Sequence, residues 1–239
     1  MTEGMLESDS LASLRHGEPL MAYIFPEIQQ RLRLKKADPL IRFRVHNFLS
    51  QHYTHLFKKL EEYLLVTHNQ YLTEIKDLLV TTAHESINSW AFATLYPNTV
   101  RYSLFITVYN QFESSMIEAC IELEKDHPNA VKLSDLKDKG MTRTYTYLEK
   151  VVGIKEPFEP TSWDKLKDLN ALRNVIVHNN AKIEKPQTKI SIERIQKWAP
   201  VRVEDDIVFL SETFIEHVNN FFHEQITYIA KKLEAAGWD

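Results

Sequence analysis

Apolar residues recur at three- and four-residue spacings along most of this chain, and only five glycines interrupt its 239 residues. A period near 3.6 places such residues on one side of a helix, and so few glycines leave little provision for the tight turns of an all-β fold. The pattern therefore specifies an all-α protein. With 44% hydrophobic residues the chain can bury the core of one large domain, or of one domain with a smaller appendage.

The periodicity predicts helices over about 20–36, 39–67 and 70–95, punctuated by Pro39, by "THNQ" at 67–70 and by "YPN" at 96–98. Residues 1–19 read as a loose lead or one short helix. A longer helix is expected from an N-cap at Asn98 or Thr99 to just before Pro128, followed by short ones over 134–138 and 141–152. The stretch "TSWD", Thr161 to Asp164, opens a helix over 161–178 with a capping residue and an acidic first turn. "KISIERI" (189–195) and "VRVEDDIVFL" (201–210) alternate like short strands, the second turning at Asp205 and Asp206. A closing amphipathic helix over Ser211–Ala235 carries the stripe Ile215, Val218, Phe222, Ile226, Ile229 and Leu233.

A net charge of −4 argues against a surface devoted to wrapping nucleic acid, which would carry a basic excess, although it leaves room for a local basic site. Cys120 is the single cysteine, so no intrachain disulfide or cysteine-rich metal cluster can form, as suits a reducing compartment. No run approaches the ~20 apolar residues that span a bilayer. The first twenty residues carry Glu3, Glu7, Asp9 and Glu18 and lack a secretory pattern. A cytoplasmic protein with no membrane partner is expected.

On a helical wheel, Tyr102, Phe105, Ile106, Tyr109, Phe112, Met116, Ile117 and Cys120 share one arc, and Glu113 lies near its middle. The helix from Trp163 gathers Leu166, Leu169, Leu172, Ile176 and Val177 on one side, with Arg173 near the centre. Each buried face thus holds one charge, of opposite sign. A lone buried charge costs several kcal/mol, so either the two pair across abutting faces or both open on a polar cleft. His178 follows Arg173 at the helix's C-terminal end, where the macrodipole favours an imidazolium. It is either a helix-end residue or an acid–base group beside an anion clamp.

The stretch "RNVIVH", Arg173 to His178, resembles the Arg-x4-His signature of the HEPN superfamily, in which the residue after the arginine is often asparagine. The order of "SLFITVYNQFESSMIEA" (103–119), "YLEKVVGI" (147–154), Trp163 and the closing helix is similar to that of prokaryotic HEPN proteins over residues 98–236. The resemblance implies a HEPN-like up-and-down helical bundle at 98–239, to which the strand patterns add a small β-hairpin before its last helix. Residues 1–97 form a helical extension outside it, whose role is open. It also implies a homodimer that brings two Arg-His motifs into one cleft. Many members are metal-independent endoribonucleases of antiviral, abortive-infection or toxin–antitoxin systems; others keep the fold for binding only.

Carried to this chain, the resemblance makes Arg173 and His178 the catalytic pair, with Asn174 and Glu113 in support and Lys182 and Lys185 as weaker RNA-binding candidates. RNA supplies its own 2′-hydroxyl nucleophile, so cleavage needs a base, an acid and a cation on the phosphate but no metal or other cofactor. Products would be a 2′,3′-cyclic phosphate and a 5′-hydroxyl. An antitoxin or defence protein is an expected partner. The rival reading is a non-catalytic HEPN-like dimer that serves as a binding or regulatory module. Other motifs are poor: His52 and His55 have no ligand partner close by, His217 and His223 do not share a face, and no P-loop, zincin or serine-elbow pattern occurs.

Overall fold

The computed structural model describes residues 91–126 and 131–238, together with 55, 58–63, 65–70 and 73. The chain divides into two compact units, Met1–Asp38 and Pro39–Asp239, and every described residue belongs to the second. The helix expected over 20–36, much of those expected over 39–67 and 70–95, and His52 fall outside the described residues.

Residues 58–63 and 65–70 are helical, so the "THNQ" stretch continues a helix instead of ending one. Thr67 donates its hydroxyl to the Tyr63 carbonyl at 2.9 Å, which satisfies a side chain that would otherwise compete with the helix backbone. A π-helical turn at Ala91–Leu95 then leads without a break into α1, Tyr96–Asp126. Thr99 is therefore no N-cap: it lies inside the helix and donates to the Leu95 carbonyl at 2.8 Å, and Pro97, which has no N–H to donate, falls directly after the π-helical turn.

The remaining elements are a 3₁₀ turn at Leu133–Asp135, α2 at Gly140–Lys150, α3 at Pro160–Asn179, α4 at Pro186–Ile195, β1 at Val201–Glu204, β2 at Ile207–Leu210 and α5 at Phe214–Ala235. The described chain is mainly helical with one antiparallel hairpin. Asp205 and Asp206 form its turn at φ 49° and 61°, the left-handed conformation that aspartate tolerates and a tight hairpin needs.

"KISIERI" is helix α4, not a strand. Pro186 sits in its first turn, and helical spacing turns Ile192 and Ile195 into the core while leaving Ile190 exposed. The alternation of isoleucines misleads because the decisive residue is polar. Arg194, on the same helix, donates through Nε to Asp168 Oδ2 at 2.7 Å and through Nη2 to the other carboxylate oxygen. Asp168 is 2% exposed, so this clamp supplies the partner that a buried carboxylate requires and locks α4 onto α3.

The core runs between α1 and α5. Phe105 meets Phe214 edge-on at 5.4 Å, and Phe112 stacks on Phe222 at 4.1 Å and 3°. Residue numbers rise together along the pair, so the two helices run parallel. The same holds for α1 and α2, where Glu113 lies by Gly140 and the Tyr147 hydroxyl senses Cys120 and Glu124. At that step the chain departs from the expected up-and-down order. The Leu133 N–H donates to Glu124 at 3.0 Å, and extended backbone at Leu136 and Lys139 lets the connection return along α1 before α2 starts.

α3 begins one residue earlier than "TSWD" suggests, with Glu159 in the N-cap position and Pro160 at its first residue. It ends at Asn180, whose φ of 50° is the left-handed cap of a helix C-terminus.

Candidate functional site

Helix α3 presents Trp163, Leu166, Lys167, Asn170, Arg173 and Asn174 along one side, at the spacings that keep side chains on one helical face. They form a wall of a cleft of about 460 Å³. Tyr109 and Glu113 of α1 make the second wall, and Lys139 with Gly140, Met141 and Thr142 at the start of α2 closes the third.

Glu113 and Arg173 thus open on the same cleft, and no ion pair joins them among the described residues. Both act on the Tyr109 hydroxyl, whose pKa is pushed up by burial first and by Glu113 second, with Arg173 pulling it down. The Glu113 carboxylate rests instead against Gly140 at the N-terminal end of α2, where the helix dipole favours a negative charge. Gly140 has φ +54°, and any Cβ there would overlap Glu113 Oε1.

Arg173 is only lightly tied down. Its Nη1 donates to Asn174 Oδ1 at 3.1 Å, and its Nε is buried without a hydrogen-bond partner. Other arginines of the described chain are better satisfied. Arg101 donates through Nε and Nη2 to the Glu61 carboxylate at 2.5 and 2.8 Å and through Nη1 to the Leu210 carbonyl at 3.0 Å, and Arg194 grips Asp168. An incompletely bonded guanidinium in a concave polar site is poised for an anion that arrives from outside.

Of the residues singled out from sequence, Arg173, Asn174 and Glu113 meet at this cleft. His178 does not line it: it is exposed in the last turn of α3, five residues and therefore ~140° and ~7.5 Å along the helix from Arg173. Val177, expected on the buried side, is 41% exposed beside it, on the outward face of α3, while Val175 and Ile176 stay in the core. Lys182 and Lys185 are exposed and lie elsewhere, Lys182 bridging to Ile207 at the hairpin and Lys185 preceding α4. Lys139 and Lys167 take the positions that sequence reasoning gave to that pair. Lys167 was within reach of the α3 wheel, six residues before Arg173. Lys139 was not, because only the return of the chain along α1 brings it to the cleft.

Among the described residues no group of three or more His, Cys, Asp or Glu side chains could hold a metal ion, and no helix is long and apolar enough to cross a membrane. Searches of protein-family models, curated proteins and solved structures found nothing that matches the chain.

Proposed function

We propose that the chain is a metal-independent endoribonuclease of the HEPN type that acts as a homodimer on RNA in a bacterial defence or toxin–antitoxin setting. The observation that carries this reading is Arg173: a guanidinium with a buried, unpartnered Nε in a polar cleft, with no ion pair to Glu113 to give it a structural purpose. Such a group suits the extra negative charge of a phosphoryl transition state.

In this reading Arg173 holds the scissile phosphate, and His178 moves protons to and from the 2′- and 5′-oxygens. Asn174 steadies the guanidinium through the bond it already accepts, and Glu113 keeps the α2 side of the cleft in place. The ~140° between Arg173 and His178 supports a site that two subunits share, because an exposed histidine on one protomer can face the cleft of another. Two histidines then divide the roles of base and acid.

The separation of the two residues within one chain also favours the second reading, a non-catalytic HEPN-like dimer that binds a partner through the same cleft. The variants Arg173→Ala and His178→Ala, checked by sedimentation for an unchanged oligomeric state, separate the two. Loss of RNA cleavage in both, by about a hundredfold or more for removal of an acid–base group, supports the nuclease. Cleavage that neither substitution reduces refutes it.

A further inference from the structure

Two large aromatic side chains line the cleft, Tyr109 and Trp163, and neither is used by the phosphate clamp or the proton transfer; Trp163 is the one held in a stack of rings. Its ring lies 4.6 Å from Tyr145 at 29° and 5.6 Å from Phe158 at 25°, while Tyr145 and Phe158 are 6.2 Å apart at 14°. Two rings on opposite faces of an indole would stand at least about 7 Å apart, since each needs a carbon–carbon separation of about 3.5 Å. Tyr145 and Phe158 therefore share one side of Trp163. They brace the indole and leave its other side without ring contacts among the described residues, and it is Trp163, not its two neighbours, that borders the cleft.

We infer that the cleft takes one unstacked nucleotide of single-stranded RNA, its base laid on Trp163 and its phosphate held by Arg173 and Lys139. This rests on the ribonuclease reading above and makes the cleft its substrate-positioning subsite. A rigid aromatic platform beside cations is the arrangement by which proteins hold unpaired nucleotides, since every base has a π-face to stack. The volume of about 460 Å³ accommodates one nucleotide and no duplex. Asn170 and Thr142, both at the cleft and both exposed, offer donors and acceptors to a base edge. Glu113 is outnumbered in the cleft lining by Arg173, Lys139 and Lys167.

The test uses the full-length protein and a fluorescein-labelled 2′-O-methyl RNA hexamer, which lacks the attacking hydroxyl, with each position in turn made abasic. Binding is read by anisotropy. One abasic position is expected to weaken binding to the wild type by about tenfold. Trp163→Leu should lose a similar factor on the intact hexamer and show no further loss with the abasic one. Lys139→Glu, at an exposed residue outside the core, should weaken both ligands at least several-fold; unchanged affinity in this variant overturns the subsite even if Trp163→Leu fails to fold. Wild type that cleaves RNA but ignores every abasic position overturns the nucleotide pocket and leaves the ribonuclease reading standing. Wild type that neither binds the hexamer nor cleaves RNA overturns both.

Discussion

The carboxylate of Glu113 and the α-carbon of Gly140 lie so close that no side chain fits between them. A residue from the middle of α1 thereby packs against the start of α2, which forms one wall of the cleft. Gly140→Ala must both adopt φ +54° and displace the carboxylate. We expect a loss of about 1–2 kcal/mol, of which ~1 kcal/mol is the left-handed backbone, because the displaced atom is the end of a flexible side chain. In Glu113→Ala the displacement vanishes, so urea denaturation of the double variant should show that Gly140→Ala then costs only the backbone share.

Arg173 and Arg194 should respond in opposite ways to removal. Arg194→Ala strands Asp168, a carboxylate 2% exposed, and is expected to cost about 3–4 kcal/mol, the lower part of the range for breaking a buried pair because the Arg194 side chain is half-exposed. Arg173→Met removes a guanidinium with an unpartnered Nε and should leave stability within about 1 kcal/mol of the wild type, or raise it. Chemical denaturation of the two variants side by side checks the contrast. A large loss for Arg173→Met would show that the residue is structural.

The protein should lose stability on the alkaline side. Burial pushes the Cys120 thiol above its ordinary 9.0, lifts Tyr102 and Tyr147 from 10.0 to about 12, and raises Tyr109 as well. Each group stays neutral in the fold at a pH where the unfolded chain has already released its proton. The stabilisation is complete below the unfolded pKa values and is lost as pH rises through the folded ones. Stability should therefore begin to fall near pH 9, first through Cys120 at up to about 1.4 kcal/mol per pH unit and from pH 10 more steeply through the tyrosines. Cys120→Ala should flatten the curve between pH 9 and 10 and leave the later fall in place.

The apolar stripes of α1 and α5 were legible because every third or fourth residue there is buried, from Phe105 to Leu123 and from Phe214 to Leu233. The hairpin was legible through its paired aspartates. What sequence could not reveal depends on long-range pairing. Arg194 belongs with Asp168, so α4 is a helix although its isoleucines alternate, and Lys139 reaches the cleft through a backbone path that no periodicity encodes. The wheel put one charge on each of two buried faces and left open whether Glu113 and Arg173 pair or share a polar cleft; it could not show that Glu113 would turn to Gly140 and leave Arg173 without an ion pair.

The role proposed for Arg173 and His178 is RNA cleavage. Purified protein incubated with mixed RNA in EDTA, beside His178→Ala prepared identically, tests it through the chemistry of the product ends. The nuclease reading predicts 2′,3′-cyclic phosphate and 5′-hydroxyl ends from the wild type alone, and none from 2′-O-methyl RNA. Equal cleavage by the variant, 3′-hydroxyl ends, or a wild type inert toward RNA would contradict it.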